Sequence, residues 1–343
     1  MSRFWKPFRF GIGIVSSLTF LWLAIRQVAW SRLLMAIQTA DWRLFLLGSL
    51  LLVTTWGVFA IRWRVLLMGA APIRWSDAFS YIMIGYLGNA LFPLRLGDVG
   101  RILLTNHKLN LNIAFTSATL IVERLLDILT MVAFGGLLMI FVPVPELIRH
   151  GVQIAALTAV GLFAMVVLIG HSQSRFARLE SYLSSHRSYR FLKCGFDILH
   201  TFLEALKVMT GHKQIVTVGL LSWLSWGIGG LSMLCYVRAF QLPVPWLAAF
   251  FVLVVINLGS AIPSSPGFIG VFEYLVVMAL SVWLSDRSVS LGFGTATHAV
   301  NLGLNVALGL IAAWREGVSL KALDKGLVAT QSNSKKYSYS LVK

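Results

Sequence analysis

Six predominantly apolar segments, at about 10–25, 44–61, 113–142, 151–170, 215–237 and 291–314, decide what this chain can become. Each is long enough to cross a hydrocarbon core of ~30 Å as a helix. Backbone in lipid must satisfy its own hydrogen bonds, which leaves helices or a closed barrel, and runs of this length read as helices. The expected class is an all-α polytopic membrane protein. Composition agrees: 57% of the residues are hydrophobic and 12% charged, with a mean hydropathy of +0.79, where a soluble domain carries about 25% charged residues. Residues 1–343 read as one transmembrane domain, with halves at about 10–142 and 151–314, a basic loop at 171–214 and a polar tail at 315–343.

The net charge of +16 would point to nucleic acid in a soluble protein. Here it follows the positive-inside bias of membrane chains. With a cytoplasmic N-terminus, connections 1–9, 62–77, 93–112, 171–214 and 315–343 lie inside and hold most of the Lys and Arg. Connections 26–43, 143–150, 238–246 and 285–290 lie outside. Arg26, Arg32 and Arg43 are awkward there, and Trp30 and Trp42 place that loop along the interface. The start, RFWKPFRF followed by an apolar run, lacks an A-x-A cleavage site and reads as an uncleaved first span. The expected location is a bacterial cytoplasmic (inner) membrane with both termini in the cytoplasm. Anionic lipids are the partners expected at the inner face, and nucleic acid is not expected. Two cysteines, Cys194 and Cys235, exclude a disulfide framework.

Two further apolar stretches, 78–92 and 247–284, are interrupted by LGNALFPLRLGDVG and LGSAIPSSPGFIG. These predict broken or re-entrant hairpins. Setting Pro93 on Pro263 aligns Gly97 with Gly267 and Gly100 with Gly270, while Leu87-Gly88 falls near Leu258-Gly259; Pro266 adds a second break. Each half then reads span, span, broken hairpin, span, and the crossing count makes the halves run in opposite directions. Such an inverted-topology repeat with paired breaks is how transporters place a substrate site at the midplane. Two ordinary proline kinks in crossing helices would leave the same signature.

Charged residues inside a span are costly, ~2.5–3.5 kcal/mol each on insertion scales, and are expected to face a partner or a cavity. The run ERLLD places Glu123, Arg124 and Asp127 within 113–142. Arg124 and Asp127, three apart, can pair on one helical face, so inter-helix adhesion is the plain alternative to ligand binding. The first hairpin adds Asn89, Arg95, Asp98 and Arg101. A guanidinium at a helix break suits phosphate or carboxylate, although interfacial arginines would also satisfy the inside bias. The second hairpin adds Ser264, Ser265 and Glu273. In the last span His298, Asn301 and Asn305 form one polar stripe; His298 reads as a packing residue, and no metal is expected. No Walker A loop, G-x-S-x-G elbow, HExxH or EF-hand pattern occurs, and no cofactor is expected.

The runs NALFPLRLGDVGR (Asn89 to Arg101), ERLLD (Glu123 to Asp127) and PGFIGVFE (Pro266 to Glu273) resemble motifs of the lysylphosphatidylglycerol synthase transmembrane region, the flippase-like family, over roughly 10–315. The resemblance implies a membrane domain that moves a lipid between leaflets, in some members an aminoacylated phosphatidylglycerol. Asp98 stands where the family more often shows Glu. The tail after Ala313 is too short for a soluble aminoacyl transferase domain, so lysyl transfer by this chain alone is not expected. The resulting expectation is translocation of a phosphate-bearing lipid, with Arg95 and Arg101 on phosphate and Glu123, Asp127 and Glu273 on an amine or a proton. The alternatives are a membrane-embedded enzyme, or an accessory subunit beside a separate lipid-modifying enzyme, in a lipid or lipid-linked glycan pathway.

Overall fold

The computed structural model describes residues 19, 21–23, 30–68, 70–92, 95–142, 146–171, 212–260 and 265–318. Among them all regular structure is helical: α1 (Trp30–Gln38), α2 (Trp42–Leu67), α3 (Trp75–Leu91), α4 (Leu96–Leu109), α5 (Ile113–Phe141), α6 (Glu146–His171), α7 (His212–Ala239), α8 (Leu247–Gly259), a 3-10 turn (Pro266–Phe268), α9 (Val271–Leu280) and α10 (Arg287–Glu316). The expected first span at 10–25 falls almost wholly outside the described residues. So do 172–211 of the basic loop, the tail from 319, and Pro93, Pro263 and Ser264.

Helices α2, α5, α7 and α10 are long and apolar enough to cross a membrane, and α6 covers the expected span 151–170. Capping side chains fix where several of them start. Asp41 accepts from the N–H groups of Arg43 and Leu44 at the head of α2. Asn112 and Asp286 do the same for α5 and α10, each satisfying donors a helix start leaves open. The spans expose Leu46, Leu50, Ile140, Leu157, Leu220 and Trp314 outward, which is the surface a lipid solvent requires. Buried polar groups collect on the inward faces. One boundary differs from the sequence reading: α2 continues through Arg62, which the apolar pattern places in a cytoplasmic connection. The helix carries on because Trp63, Leu66 and Leu67 are almost completely buried beyond it.

The two interrupted stretches fold as helical hairpins, α3–α4 and α8–α9. Their legs have 17, 14, 13 and 10 residues, about 15–26 Å at 1.5 Å per residue, each short of the ~30 Å hydrocarbon core. In the first hairpin the legs touch backbone to backbone: a Cβ on Gly97 would run into the Gly85 carbonyl and the Asn89 amide. Only glycine fits there. The second hairpin turns through residues with positive φ, Gly267 at 70°, Phe268 at 59° and Gly270 at 86°, a geometry natural for glycine and strained for phenylalanine.

Helices α2 and α7 lie side by side and antiparallel: the Asp41 N–H donates to the Ala239 carbonyl, Ser232 Oγ to the Gly48 carbonyl and Gln214 to the Val65 carbonyl. Around this pair, α3 packs on α10, and α8 packs on α5. Helix α6 lies against α5, and α1 lies against α10. The start of α3 and the ends of α4 and α10 meet at one end of the bundle. Arg315 pairs with Asp77 at 2.6 Å, and Lys108 with Glu316 at 3.5 Å. The connection at 26–43 contains α1, which presents Trp30, Leu34 and Met35 outward.

Candidate functional site

Behind the first hairpin lie three ion pairs. Arg101 on α4 meets Glu123 on α5 through two parallel bonds of 3.0 and 2.9 Å. The Trp63 ring sits under the guanidinium at 3.8 Å, and both charged side chains are about 2% exposed. Arg62 reaches Asp127 at 2.7 Å and Ser222 at 3.0 Å, and Asp127 also accepts from the Trp226 indole at 2.9 Å. Arg124 bonds Asp98 at 3.1 and 3.2 Å and approaches the second oxygen of Asp127 at 3.8 Å. Asn89 closes the group by donating to Asp98 and accepting from the Asp98 N–H. Three guanidiniums thus face three carboxylates, and the network ties α2, α4, α5 and α7 together. Such pairs gain little net stability but are expensive to break, about 3–5 kcal/mol when one partner is removed.

Arg95 differs from these arginines. It caps α4 in the left-handed region, φ 54°, and its guanidinium crosses to the second hairpin. There it donates to the carbonyl and hydroxyl of Ser260 at 3.0 and 2.8 Å and lies 5.6 Å from the Phe268 ring centre. Among the described residues it has no carboxylate partner. The tips of the two hairpins are therefore joined by a cation resting on neutral groups.

Beside that junction is a cavity of about 190 Å³, walled by Tyr86, Asn89 and Ala90 of α3, Ile256 and Ser260 of the α8 end, Gly267, Phe268, Phe272 and Leu275 of the second hairpin, and His298, Asn301, Leu302 and Asn305 of α10. Its polar groups are amides, hydroxyls and one imidazole. Asn305 donates to Asn301 at 2.8 Å, and its own carbonyl oxygen is buried with no partner, an acceptor left open for a donor. At one edge Glu273 and His298 meet at 2.7 Å, with the other imidazole nitrogen 2.8 Å from the Gly267 carbonyl.

Of the expected site residues, Asn89 and Asn301 line the cavity, Arg95 stands at its rim, and Glu273 lies behind His298. Ser265 and Pro266 open the 3-10 turn, and Gly267 and Gly270 form the break of the second hairpin; Gly97, expected at the first break, lies inside α4, where it permits the close crossing while Arg95 takes the left-handed turn. Arg101, Glu123, Arg124, Asp98 and Asp127 form the ion-pair network. The pairing of Arg124 with Asp127 foreseen from their spacing is the weaker of its contacts. Sequence reasoning missed Arg62, Trp63, Tyr86, Trp226, Ser260 and Phe268. The clue to Arg62 was the segment IRWRV, where an arginine between two large apolar residues continues the helical pattern of the span.

Residues 10–309 match the family described as lysylphosphatidylglycerol synthase TM region. Glycosyltransferase AglD of Haloferax volcanii is 23% identical over 323 residues, covering 84% of this chain; the chain spans 51% of that relative. A UPF0104 membrane protein of Methanothermobacter thermautotrophicus is 23% identical, with 81% of this chain and 89% of that protein covered. Another, of Methanocaldococcus jannaschii, is 25% identical, with 58% and 81% covered. No solved structure matches the chain.

Proposed function

The chain belongs to the lysylphosphatidylglycerol synthase TM region family, and we propose that it moves a phosphate-bearing lipid between leaflets, with the head group passing through the cavity between the two hairpin tips. The observation that carries this reading is Arg95, a cation at the cavity rim held by Ser260 and the Phe268 ring, with no carboxylate partner among the described residues. A lipid phosphate can take those bonds over, and a guanidinium fork binds phosphate in two-pronged fashion. The remaining head group would meet amides, hydroxyls and the faces of Phe268 and Phe272.

The packing supports an inverted repeat. Exchanging halves sends α2 to α7, the α3–α4 hairpin to α8–α9, and α5 to α10. The pairing of α3 with α10 then corresponds to that of α8 with α5. The antiparallel course of α2 and α7 is the direction reversal such a repeat requires. Short hairpin legs, entering from opposite faces, would meet near the midplane and shield non-helical backbone from lipid.

Two roles expected from sequence change. Arg101 gives both terminal nitrogens to Glu123 and is buried away from the cavity, so it is not offered to phosphate. The carboxylates Asp98, Glu123 and Asp127 are each held by an arginine and none of them lines the cavity, so the site favours an anionic phosphate carrying uncharged groups over one carrying an amine. The similarity to a protein named glycosyltransferase AglD favours a second reading, in which the domain serves a lipid-linked glycan pathway. Purified protein in liposomes with head-group-labelled lipids, scored by an impermeant quencher, tests the first. Labelled phosphatidylglycerol should equilibrate faster than in empty liposomes; equal rates for every lipid would remove the proposal.

A further inference from the structure

We infer that Glu273 and His298 together form a proton-binding site that latches the tip of the second hairpin, and that the proton is the coupling ion for lipid movement. Coupling rests on the translocation reading above; the proton site does not. Both nitrogens of His298 face oxygen acceptors, Nδ1 toward Glu273 Oε1 at 2.7 Å and Nε2 toward the Gly267 carbonyl at 2.8 Å. A neutral imidazole carries one N–H, and an ionised carboxylate carries none. In that combination one nitrogen lone pair would point at an oxygen lone pair at hydrogen-bond distance.

Both contacts are attractive only when the pair holds one additional proton. Either His298 is an imidazolium donating on both sides, or Glu273 is a carboxylic acid donating to Nδ1 while Nε2–H donates to Gly267. The second carboxyl oxygen accepts from the Gly270 N–H at 2.7 Å, so the pair grips the hairpin on both sides of the turn. Phe272 stacks on the imidazole at 4.3 Å, nearly parallel. Both residues are about 7% exposed, and His298 forms part of the cavity wall.

Loss of the proton to cavity water leaves one N–H. The charge-assisted bond to the carboxylate is the stronger of the two, so the Gly267 carbonyl loses its donor. Gly267 and Phe268 both sit at positive φ, and for the phenylalanine that conformation persists only while its surroundings enforce it. Phe268 is the ring beside Arg95. Proton release therefore loosens the wall against which the phosphate-binding arginine rests, and proton uptake restores it. The polar and aromatic residues that share the cavity wall with His298 are uncharged: Tyr86 and Asn89 from α3, Ser260 from the α8 end, Phe272 from α9, and Asn301 and Asn305 from α10. Arg95 reaches the same turn through the Phe268 ring. Among the described residues no acidic side chain lines the cavity, and Glu273 is the one carboxylate bonded to His298.

The test has two arms, on the full chain in phosphatidylglycerol–phosphatidylcholine vesicles. In the first, nitrogen NMR of histidine-labelled protein and infrared spectroscopy follow the pair as pH rises. His298→Gln and Glu273→Gln identify the signals. An imidazolium at His298 or a protonated carboxyl at Glu273 should be present at low pH and vanish at high pH, while a cysteine placed by Ser265→Cys gains reactivity. A neutral imidazole beside an ionised carboxylate at every pH overturns the proton site. In the second arm, a pH difference across the vesicle should drive labelled phosphatidylglycerol into one leaflet beyond equal distribution, and both glutamine variants should lose that response. Translocation that ignores the gradient overturns the coupling and leaves the flippase reading standing. Absence of translocation under all conditions overturns that reading and the coupling with it, while the spectroscopic arm still decides the proton site.

Discussion

Arg101 and Glu123 are locked in a two-pronged pair, 3.0 and 2.9 Å, over the face of Trp63 and almost completely removed from solvent. The geometry makes each the sole charged hydrogen-bond partner of the other among the described residues, so losing either strands a charge inside the bundle. Glu123→Gln is expected to cost about 3–5 kcal/mol, read as a lower thermal unfolding temperature in detergent. The double variant Arg101→Met/Glu123→Leu should recover much of that loss. A single variant as stable as wild type would mean the pair is not the lock described.

The close crossing of the first hairpin predicts unequal tolerance of two glycines. Gly97→Ala drives a methyl group into the Gly85 carbonyl and the Asn89 backbone, and should destabilise the hairpin by at least the ~1–3 kcal/mol typical of overpacking. Gly136→Ala meets nothing within 4 Å. It should be neutral or gain up to about 1 kcal/mol of helix propensity. Yield of folded protein and unfolding temperature compare the two directly.

Asp127 joins three helices by accepting from Arg62 and the Trp226 indole while facing Arg124. Asp127→Asn keeps the size and removes the charge that Arg62 requires. It should lower stability by about 3–5 kcal/mol, more than Trp226→Phe, which deletes one hydrogen bond to a charged group worth ~1.5–3 kcal/mol. The reverse order in thermal unfolding would move the weight of the junction from the ion pair to the indole.

The inverted arrangement predicts sidedness. In a chain with Cys194 and Cys235 replaced by serine, cysteines introduced at Arg95 and Ser265 should be labelled by an impermeant reagent from opposite faces of the membrane. Cysteines at Asp77 and Lys108 should be labelled from the same face as each other, since their connections meet through Arg315 and Glu316. Labelling of positions 95 and 265 from one face would contradict the repeat.

How much of this was legible in the sequence depends on the range of the interaction concerned. Among the described residues, the long spans follow from local hydropathy, and the two hairpins from Pro and Gly within apolar sequence; both were readable. Partners of the buried charges were not. Arg62 meets Asp127 across 65 residues and Ser222 across 160, and no periodicity encodes such a meeting. The spacing of Arg124 and Asp127 suggested an internal pair, yet Asp98, brought in by the first hairpin, takes the shorter bonds. Arg62 was lost because the apolar window ends at Ile61, while burial of Trp63 carries the helix onward. His298 was legible as part of a polar stripe with Asn301 and Asn305. Its link to Glu273 depends on how the second hairpin docks on α10.

The central claim is that Arg95, at the junction of the hairpin tips, handles lipid phosphate. Quencher-accessibility kinetics of head-group-labelled phosphatidylglycerol, with wild type and Arg95→Ala reconstituted side by side, tests it most directly. Because Arg95 bonds only neutral groups, the variant should fold and enter liposomes normally. Losing a charge-assisted hydrogen bond of about 1.5–3 kcal/mol corresponds to translocation slower by on the order of tenfold to a hundredfold. Wild-type rates from a folded Arg95→Ala protein would contradict the account.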